Sequence, residues 1–290
     1  MIPFHRPTLD DRTWAEPLLR AADNFASESA FGTYYLWQAR YRFEIAQVGG
    51  YFVARYENGY ILPAGDGEMR PLLDAIAADS VSSGTPFRVQ VSGTMKERLA
   101  QAWPSALFQM HRGEADYLYR VSDLAQLTGK KYHAKRNHIA RFTQNYAYTF
   151  ERVTEPAQYR ACMEMLTQWI STNETPTNFR QEAQAIERAF VDPAALHIRA
   201  GLLRVDGQVV AFAAGEPIND RVFDQHFEKA LTSYDGAYAV INQLFASECL
   251  SDFEWVNREE DMDLDGLRKA KLSYHPDQLW MKYTAEECSL

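Results

Sequence analysis

The dipeptide Asp206-Gly207 constrains this chain more than any other local feature. It separates two apolar runs, His197–Val205 (HIRAGLLRV) and Gln208–Ile218 (QVVAFAAGEPI). Two residues that tolerate positive φ between two such runs specify a two-residue β-hairpin. A lone hairpin is not stable in water, so the flanking sequence must extend it into a sheet. It does so on both sides. Ala147–Val153 reads as a strand before the hairpin and Arg221–Lys229 as a strand after it. A helix follows over Ala237–Leu250, where Ala237, Val240, Ile241, Leu244 and Phe245 form one stripe and Asp235 or Gly236 serves as cap. Phe253–Asn257 reads as a strand, Leu264–Ser273 as a short helix ending before Pro276, and Gln278–Thr284 as an alternating strand. Between the first strand and the hairpin, Ala157–Ile170 reads as a helix and Ser171–Thr177 (STNETPT) as a polar break with the composition of a mobile loop.

The resulting order is hairpin, strand, helix, strand, helix, strand. That mixed sheet with two crossovers is the order of an acyl-CoA N-acyltransferase (GNAT) core. The first half repeats it in outline. Strands at Tyr41–Val48 and Tyr51–Tyr56 flank Gly49-Gly50, and Asn58-Gly59 turns the chain to Tyr60–Leu62. Met69–Asp79 is a helix and Pro86–Val91 a strand. Thr94–Ala102 is a helix with Thr94 and Glu97 as a capping box, and Ala106–Met110 and Tyr117–Val121 are strands. The expectation is an α/β fold with mixed sheets and two GNAT-like halves in tandem. The halves are 1–122 and 147–290, joined by a basic connecting helix over 123–146. They share little sequence, so an unrelated α/β domain in front of one GNAT domain stays open.

Bulk properties narrow the function classes. The chain has 290 residues, 46% hydrophobic and 13% aromatic, which supports real cores and argues against disorder. The net charge of −9 opposes nucleic acid or anionic lipid over most of the surface, so such a partner needs a local basic patch. The three cysteines, Cys162, Cys249 and Cys288, have neither metal-ligand nor disulfide spacing. His5, His111, His197 and His226 likewise show no ligand spacing, so no metal site is expected. MIPFHRPTLDD has no apolar signal core, and no window approaches the ~18 apolar residues of a membrane span. These features predict a cytoplasmic protein without a membrane span.

Three constellations carry chemistry. Gly129–Phe142 (GKKYHAKRNHIARF) holds Lys130, Lys131, Lys135, Arg136 and Arg141 and no acid. On a continuous helix Lys131, Lys135 and His138 share one face and Lys130, Asn137 and Arg141 the next, above a buried stripe of Tyr132, Ile139 and Tyr146. The pattern fits a phosphate-binding surface or a solvated basic helix. In Asn257–Pro276, acids (Glu259, Glu260, Asp261, Asp263, Asp265) precede bases (Arg268, Lys269, Lys271). That order suits the helix macrodipole. It also places Arg268 and Lys271, three apart, to hold a phosphate or carboxylate between them. Glu228–Asn242 (EKALTSYDGAYAVIN) lies where acetyl-CoA enzymes of this fold cradle a pyrophosphate on Arg/Gln-x-x-Gly-x-Gly/Ala. Only Gly236 of that pattern is present. Glu228, at the end of the central strand, stands where a general base would sit, or else pairs with Lys229 or Arg221 at the surface.

GKKYHAKRNHIARFTQNY and GLRKAKLSYHP…KYT resemble segments of the DUF2156 family, which is similar to the catalytic domain of bacterial phosphatidylglycerol lysyltransferases. The matching residues are Gly129, Lys130, Lys131, Arg136, Asn137, Arg141 and Phe142, then Gly266, Leu267, Arg268, Lys271 and Pro276. Tyr274 replaces a phenylalanine usual in the related enzymes. The resemblance implies a tandem GNAT fold and aminoacyl transfer from a charged tRNA to an amine or hydroxyl acceptor, small molecule or lipid. On that reading Lys271 and Arg268 hold phosphate or an oxyanion and Glu228 or Glu259 is the base. The tRNA acceptor end would meet Lys130, Lys131, Arg136, Asn137 and Arg141, with Gly236 and Tyr274 completing the site. Lipid-modifying relatives usually carry a membrane-spanning half, which this sequence lacks. Two competing readings are a non-catalytic sensor of an anionic metabolite and an ordinary N-acetyltransferase with acetyl-CoA, or another acyl-CoA, as donor.

Overall fold

The structure is a computed structural model that describes residues 2–172 and 177–287. Residues 173–176 of the expected polar break, and Cys288, lie outside the described residues. The fold is mixed α/β, with two mixed sheets. The Asp206-Gly207 turn forms as expected, with φ of 50° and 81°, and joins Arg199–Val205 to Gln208–Pro217 in antiparallel register.

The chain forms two compact units, and neither is a contiguous half. The first comprises 1–116, 259–268 and 279–290, the second 117–258 and 269–278. The expected boundaries at 122 and 146 are therefore not the edges of compact units. The reason is the path of two strands. The sheet of the first unit runs Glu44–Val48, Tyr51–Tyr56, Gly59–Gly65, Arg88–Ser92, Lys282–Glu287, Ala106–Met110. The other runs, in matching order, Tyr148–Val153, Arg199–Val205, Gln208–Pro217, Val222–Ala230, Trp255–Asn257, Asp116–Arg120, Gln278–Trp280. In each sheet one parallel pair follows a crossover helix: Gly59–Gly65 with Arg88–Ser92 after Met69–Ser83, and Val222–Ala230 with Trp255–Asn257 after Ala237–Cys249. In each sheet the next strand is antiparallel and comes from the other half of the sequence. The repeat read from element order is thus present, with the closing strands exchanged.

Several local expectations change. The expected strand Gln278–Thr284 breaks at Met281 into Gln278–Trp280 and Lys282–Glu287. The strand expected from Tyr41 begins at Glu44, because the helix Phe31–Tyr41 ends on Arg42 in the left-handed region, φ 54°. Thr94 is the first helical residue, not the cap. Gly93 takes that position at φ 55° and no side-chain cap bond forms. The connecting helix is two helices, Val121–Gln126 and His133–Asn145, parted by positive φ at Leu127 and Gly129 and a 3-10 turn at Lys130–Tyr132. Lys130 and Lys131 therefore leave the helix face assigned to them. Of the stripe expected to be buried, Tyr132 is fully buried while Ile139 and Tyr146 are half-buried, and Phe142 is buried as well.

The core of the first unit packs Tyr51, Val53, Tyr60, Leu62 and Val89 against Leu72, Ile76 and Leu99 of its helices. Beside it sits a buried polar cluster. Lys282, 2% exposed, places Nζ 2.8 Å from both Asp116 Oδ1 and Glu28 Oε1, 3.1 Å from Ser27 Oγ and 3.5 Å from Glu260 Oε2. In the second unit Phe223 of the sheet packs edge-on against Phe245 of the crossover helix, and on the opposite face of the sheet Phe212 packs against Phe190 of helix Thr177–Val191. Among the described residues no helix is long and apolar enough to cross a membrane.

Candidate active site

The second unit gathers its ionisable side chains around the end of strand Val222–Ala230. That strand carries a bulge against Gln208–Pro217 between Asp224 and Phe227. Residues three apart on a regular strand face opposite sides. The extra residue lets Gln225 and Glu228 meet, and Gln225 Nε2 donates to Glu228 Oε2 at 2.8 Å. The crossover helix adds Asn242, whose Nδ2 donates to the same oxygen at 2.9 Å. Arg258, just after Trp255–Asn257, donates through Nη2 to Glu228 Oε1 at 2.9 Å. Glu228 and Arg258 are only 11% and 12% exposed, so this is a nearly buried ion pair with extra hydrogen bonds on the carboxylate.

Aromatic rings line the pair. The Arg258 guanidinium lies 5.0 Å from the centre of the Tyr274 ring and 5.6 Å from that of Tyr119. Its Nη1 is buried without a hydrogen-bond partner, as expected for a cation packed against π faces. Tyr274 is buried and its phenol pKa is pushed up by that burial. Tyr119 Oη donates to the carbonyl of Lys271 at 2.8 Å, and Tyr132 Oη to that of Tyr274 at 3.1 Å. These two bonds pin the segment that carries Tyr274.

Lys135 completes the group. Its Nζ lies 3.6 Å from the centre of the Tyr274 ring and 2.7 Å from Ser273 Oγ. Burial, and then the positive charge of Arg258, push its pKa from 10.5 down to about 8, against the pull of Glu228. An amine whose pKa is lowered in this way, beside a carboxylate and a guanidinium, has the chemistry to exchange a proton with a bound molecule.

The residues singled out in the sequence fall into three groups. Glu228 and Tyr274 belong to this cluster, and Lys271 borders it. Lys271 is buried and its Nζ donates to the backbone carbonyl of Arg258, so it fixes the Arg258 backbone. The basic motif mostly serves the chain itself. Lys131 pairs with Asp123 at 3.0 Å, and Arg136 caps the carbonyls of Leu127 and Gly129. Arg141 pairs with Asp235 at 2.6 Å, and Asn137 shares a hydrogen bond with His133. Lys130 is exposed. Two residues lie in the first unit instead. Arg268 is held by Asp261, through both Nε and Nη2 at 2.8 Å, and by Asp263 at 2.6 Å. Glu259 sits in a left-handed turn at φ 56°. The expected clamp of Arg268 with Lys271 is thus replaced by separate partners for each.

Gly236 has a packing reason for being glycine. Its φ is +94°, and a Cβ there would meet the carbonyl oxygen of His138 at 2.4 Å and Phe142 Cβ at 3.0 Å. The loop expected to cradle a pyrophosphate is packed against helix His133–Asn145, with the Arg141–Asp235 pair closing over it. Lys135, Arg258 and Asn242 were not picked out from sequence. Lys135 lies inside the basic motif, but its distinctive neighbours, Ser273 and Tyr274, are more than a hundred residues away.

The model of the phosphatidylglycerol lysyltransferase C-terminal family matches residues 19–286. The chain belongs to that family. A crystal structure of a conserved protein of unknown function from Bacteroides thetaiotaomicron is 36% identical, covers 98% of this chain and 99% of its own, and superposes with a TM-score of 0.92. The DUF2156 domain of a protein assigned as a lysylphosphatidylglycerol synthetase from Agrobacterium fabrum shares the fold at 15% identity and a TM-score of 0.63, covering 96% of this chain and 92% of that one. An uncharacterised protein of Mycoplasmoides gallisepticum is 25% identical over 185 residues, 60% of this chain, and the match spans 56% of that relative's length. The fold is also that of a tandem GNAT protein from the clavulanic acid biosynthesis pathway, at 11% identity and a TM-score of 0.50, covering 99% of this chain and 98% of that one.

Proposed function

We propose that this protein is an acyltransferase that moves an ester-activated aminoacyl group from a charged tRNA to an amine or hydroxyl acceptor, using the Lys135–Glu228–Arg258–Tyr274 cluster. Family membership supports acyl transfer. The observation that favours a donor other than acetyl-CoA is the packing of the Asp235-Gly236 loop. Its backbone is covered by the protein's own helix, and the space beside Gly236 ends on the His138 carbonyl. Asp235 also presents a carboxylate, half-engaged by Arg141, where a pyrophosphate would need positive charge.

In this reading Glu228 is a positioning carboxylate, with both of its oxygens accepting hydrogen bonds. Its role is to hold Arg258 and to orient the amino group of the donor or acceptor. Arg258 and the rings of Tyr119 and Tyr274 form a low-dielectric wall. The acceptor's nucleophile attacks the ester carbonyl beside that wall.

The test is direct. The protein is incubated with tRNA charged with radiolabelled amino acids, in one series with phosphatidylglycerol vesicles and in another with a small-molecule extract of cells. Labelled acetyl-CoA runs in parallel. Label moving from tRNA to an extractable acceptor supports the proposal. Label moving only from acetyl-CoA makes the protein an N-acetyltransferase. Stoichiometric binding of an anionic metabolite with no transfer makes it a sensor.

A further inference from the structure

The carboxylate at the end of strand Val222–Ala230 is engaged by the protein's own side chains. Its Oε1 accepts from Arg258 and its Oε2 from both Gln225 and Asn242, so the chain's own donors take up most of the hydrogen-bonding capacity of Glu228 and tie it to its neighbours.

We infer that Lys135, in its neutral form, is the general base, taking the proton from the acceptor's attacking hydroxyl or neutral amine and returning it to the leaving group. This inference rests on the aminoacyl-transfer reading above. Four observations carry it. First, Ser273 Oγ donates its only proton to the carbonyl of Ala270 at 2.5 Å, so it receives a hydrogen bond from Lys135. Lys135 therefore meets Ser273 through an N–H, and its unshared pair stays free when the amine is neutral. Second, neither Ser273 nor the Tyr274 ring brings a negative charge to Nζ, and the nearby fixed cation, Arg258, opposes a second one. Third, Lys135 is not fully buried: the side chain keeps intermediate exposure, unlike Lys271 and Lys282. Fourth, its environment brings the amine to half-neutral near pH 8, close to the pH at which a base is most useful.

The proton balance is closed. The acceptor's O–H or N–H bond breaks as its oxygen or nitrogen forms a bond to the ester carbonyl carbon, and the proton passes to Lys135 Nζ, giving an ammonium. The tetrahedral oxyanion then collapses. The bond to the ribose oxygen breaks, and that oxygen takes the proton back from Lys135. No oxidant, reductant or further reactant is consumed.

The test uses the full chain and the tRNA transfer assay with whichever acceptor series is active. Wild type is expected to show a kcat/KM that rises with pH through an apparent pKa near 8. Lys135→Arg keeps the charge but cannot deprotonate, and Lys135→Met keeps the length without the base. Each is expected to lose about 10²-fold or more in kcat. Thermal melts of both variants show whether they remain folded. A Lys135→Cys variant alkylated to the thioether analogue of lysine is expected to recover activity, with its pH limb moved to lower pH. Folded Lys135→Arg with wild-type kcat and an unchanged pH limb would overturn the inference while leaving the transferase reading intact. Wild type that transfers from neither tRNA nor acetyl-CoA would remove the transferase reading, and the inference with it.

Discussion

Lys282 and Lys135 are both lysines withdrawn from water, one in each compact unit, and their surroundings treat the ammonium in opposite ways. Lys282 has two carboxylates at 2.8 Å and a third at 3.5 Å. Burial opposes its charge, but Asp116, Glu28 and Glu260 overcome that and hold its pKa well above the usual lysine value. Lys135 has a hydroxyl, an aromatic face and a neighbouring guanidinium, and burial wins. Burial alone therefore does not tell a structural lysine from a reactive one. The sign and number of charges that accompany it do. The first unit uses its lysine to neutralise carboxylates, and the second keeps its lysine near its point of titration.

The largest effect that would sharpen this contrast is on stability. Lys282→Met leaves Asp116 and Glu28 buried without their cation and should lower unfolding free energy by about 3–5 kcal/mol, read in urea titrations. Lys135→Met should cost far less, since it removes no partner of a buried charge. Comparable losses in the two variants would break the comparison.

Next comes the pH dependence of the same cluster. Burial, with Asp116 and Glu260, raises Glu28 from 4.5 to about 7, although Lys282 pulls the other way. The folded state thus holds this proton more tightly than the unfolded chain. The stabilisation is complete below about pH 4.5 and is lost as pH rises to about 7. The change is on the order of 3 kcal/mol. Glu28→Gln should flatten that part of the stability–pH curve. An unchanged slope in the variant would mean that Glu28 is already ionised in the folded protein.

Gly236→Ala comes third. Positive φ costs a non-glycine residue about 1–2 kcal/mol, and the new Cβ would press on the His138 carbonyl. A loss of about 2 kcal/mol or more in thermal or urea melts is expected. A neutral substitution would show that the loop can open, and would restore the coenzyme A reading.

The smallest expected effect is a shift in a titration. Glu228→Gln removes the one group that raises the Lys135 pKa, so the pH limb of activity should move to lower pH. A shift to higher pH would contradict the assigned charges. Activity should also fall, since Arg258 loses its partner.

Local chemistry made much of the fold legible. Asp206-Gly207 fixed a hairpin, the stripe Ala237–Phe245 fixed the crossover helix, and element order gave the tandem arrangement. What stayed hidden was long-range. Nothing local says that Asp116–Arg120 and Lys282–Glu287 close each other's sheets, because a strand's pattern does not name its neighbours. The same holds for the site. Glu228 and Tyr274 were legible from position and motif. Arg258 looked like one charge in a mixed run, and Lys135 like one of five bases. Arg141, Arg136 and Lys131 carry the same charge within the same motif, yet Lys131 and Arg136 are held by partners close by in sequence and Arg141 by the distant Asp235. Sequence reports the charge of a side chain but not whether its partner is a carboxylate, a carbonyl or a ring.

The measurement closest to the central claim is competitive labelling of the folded protein with trace acetic anhydride from neutral to alkaline pH, with the reactivity of Lys135 read by mass spectrometry against exposed lysines such as Lys130. The account predicts half-maximal reactivity of Lys135 near pH 8. A midpoint at the ordinary lysine value of about 10.4 would contradict it.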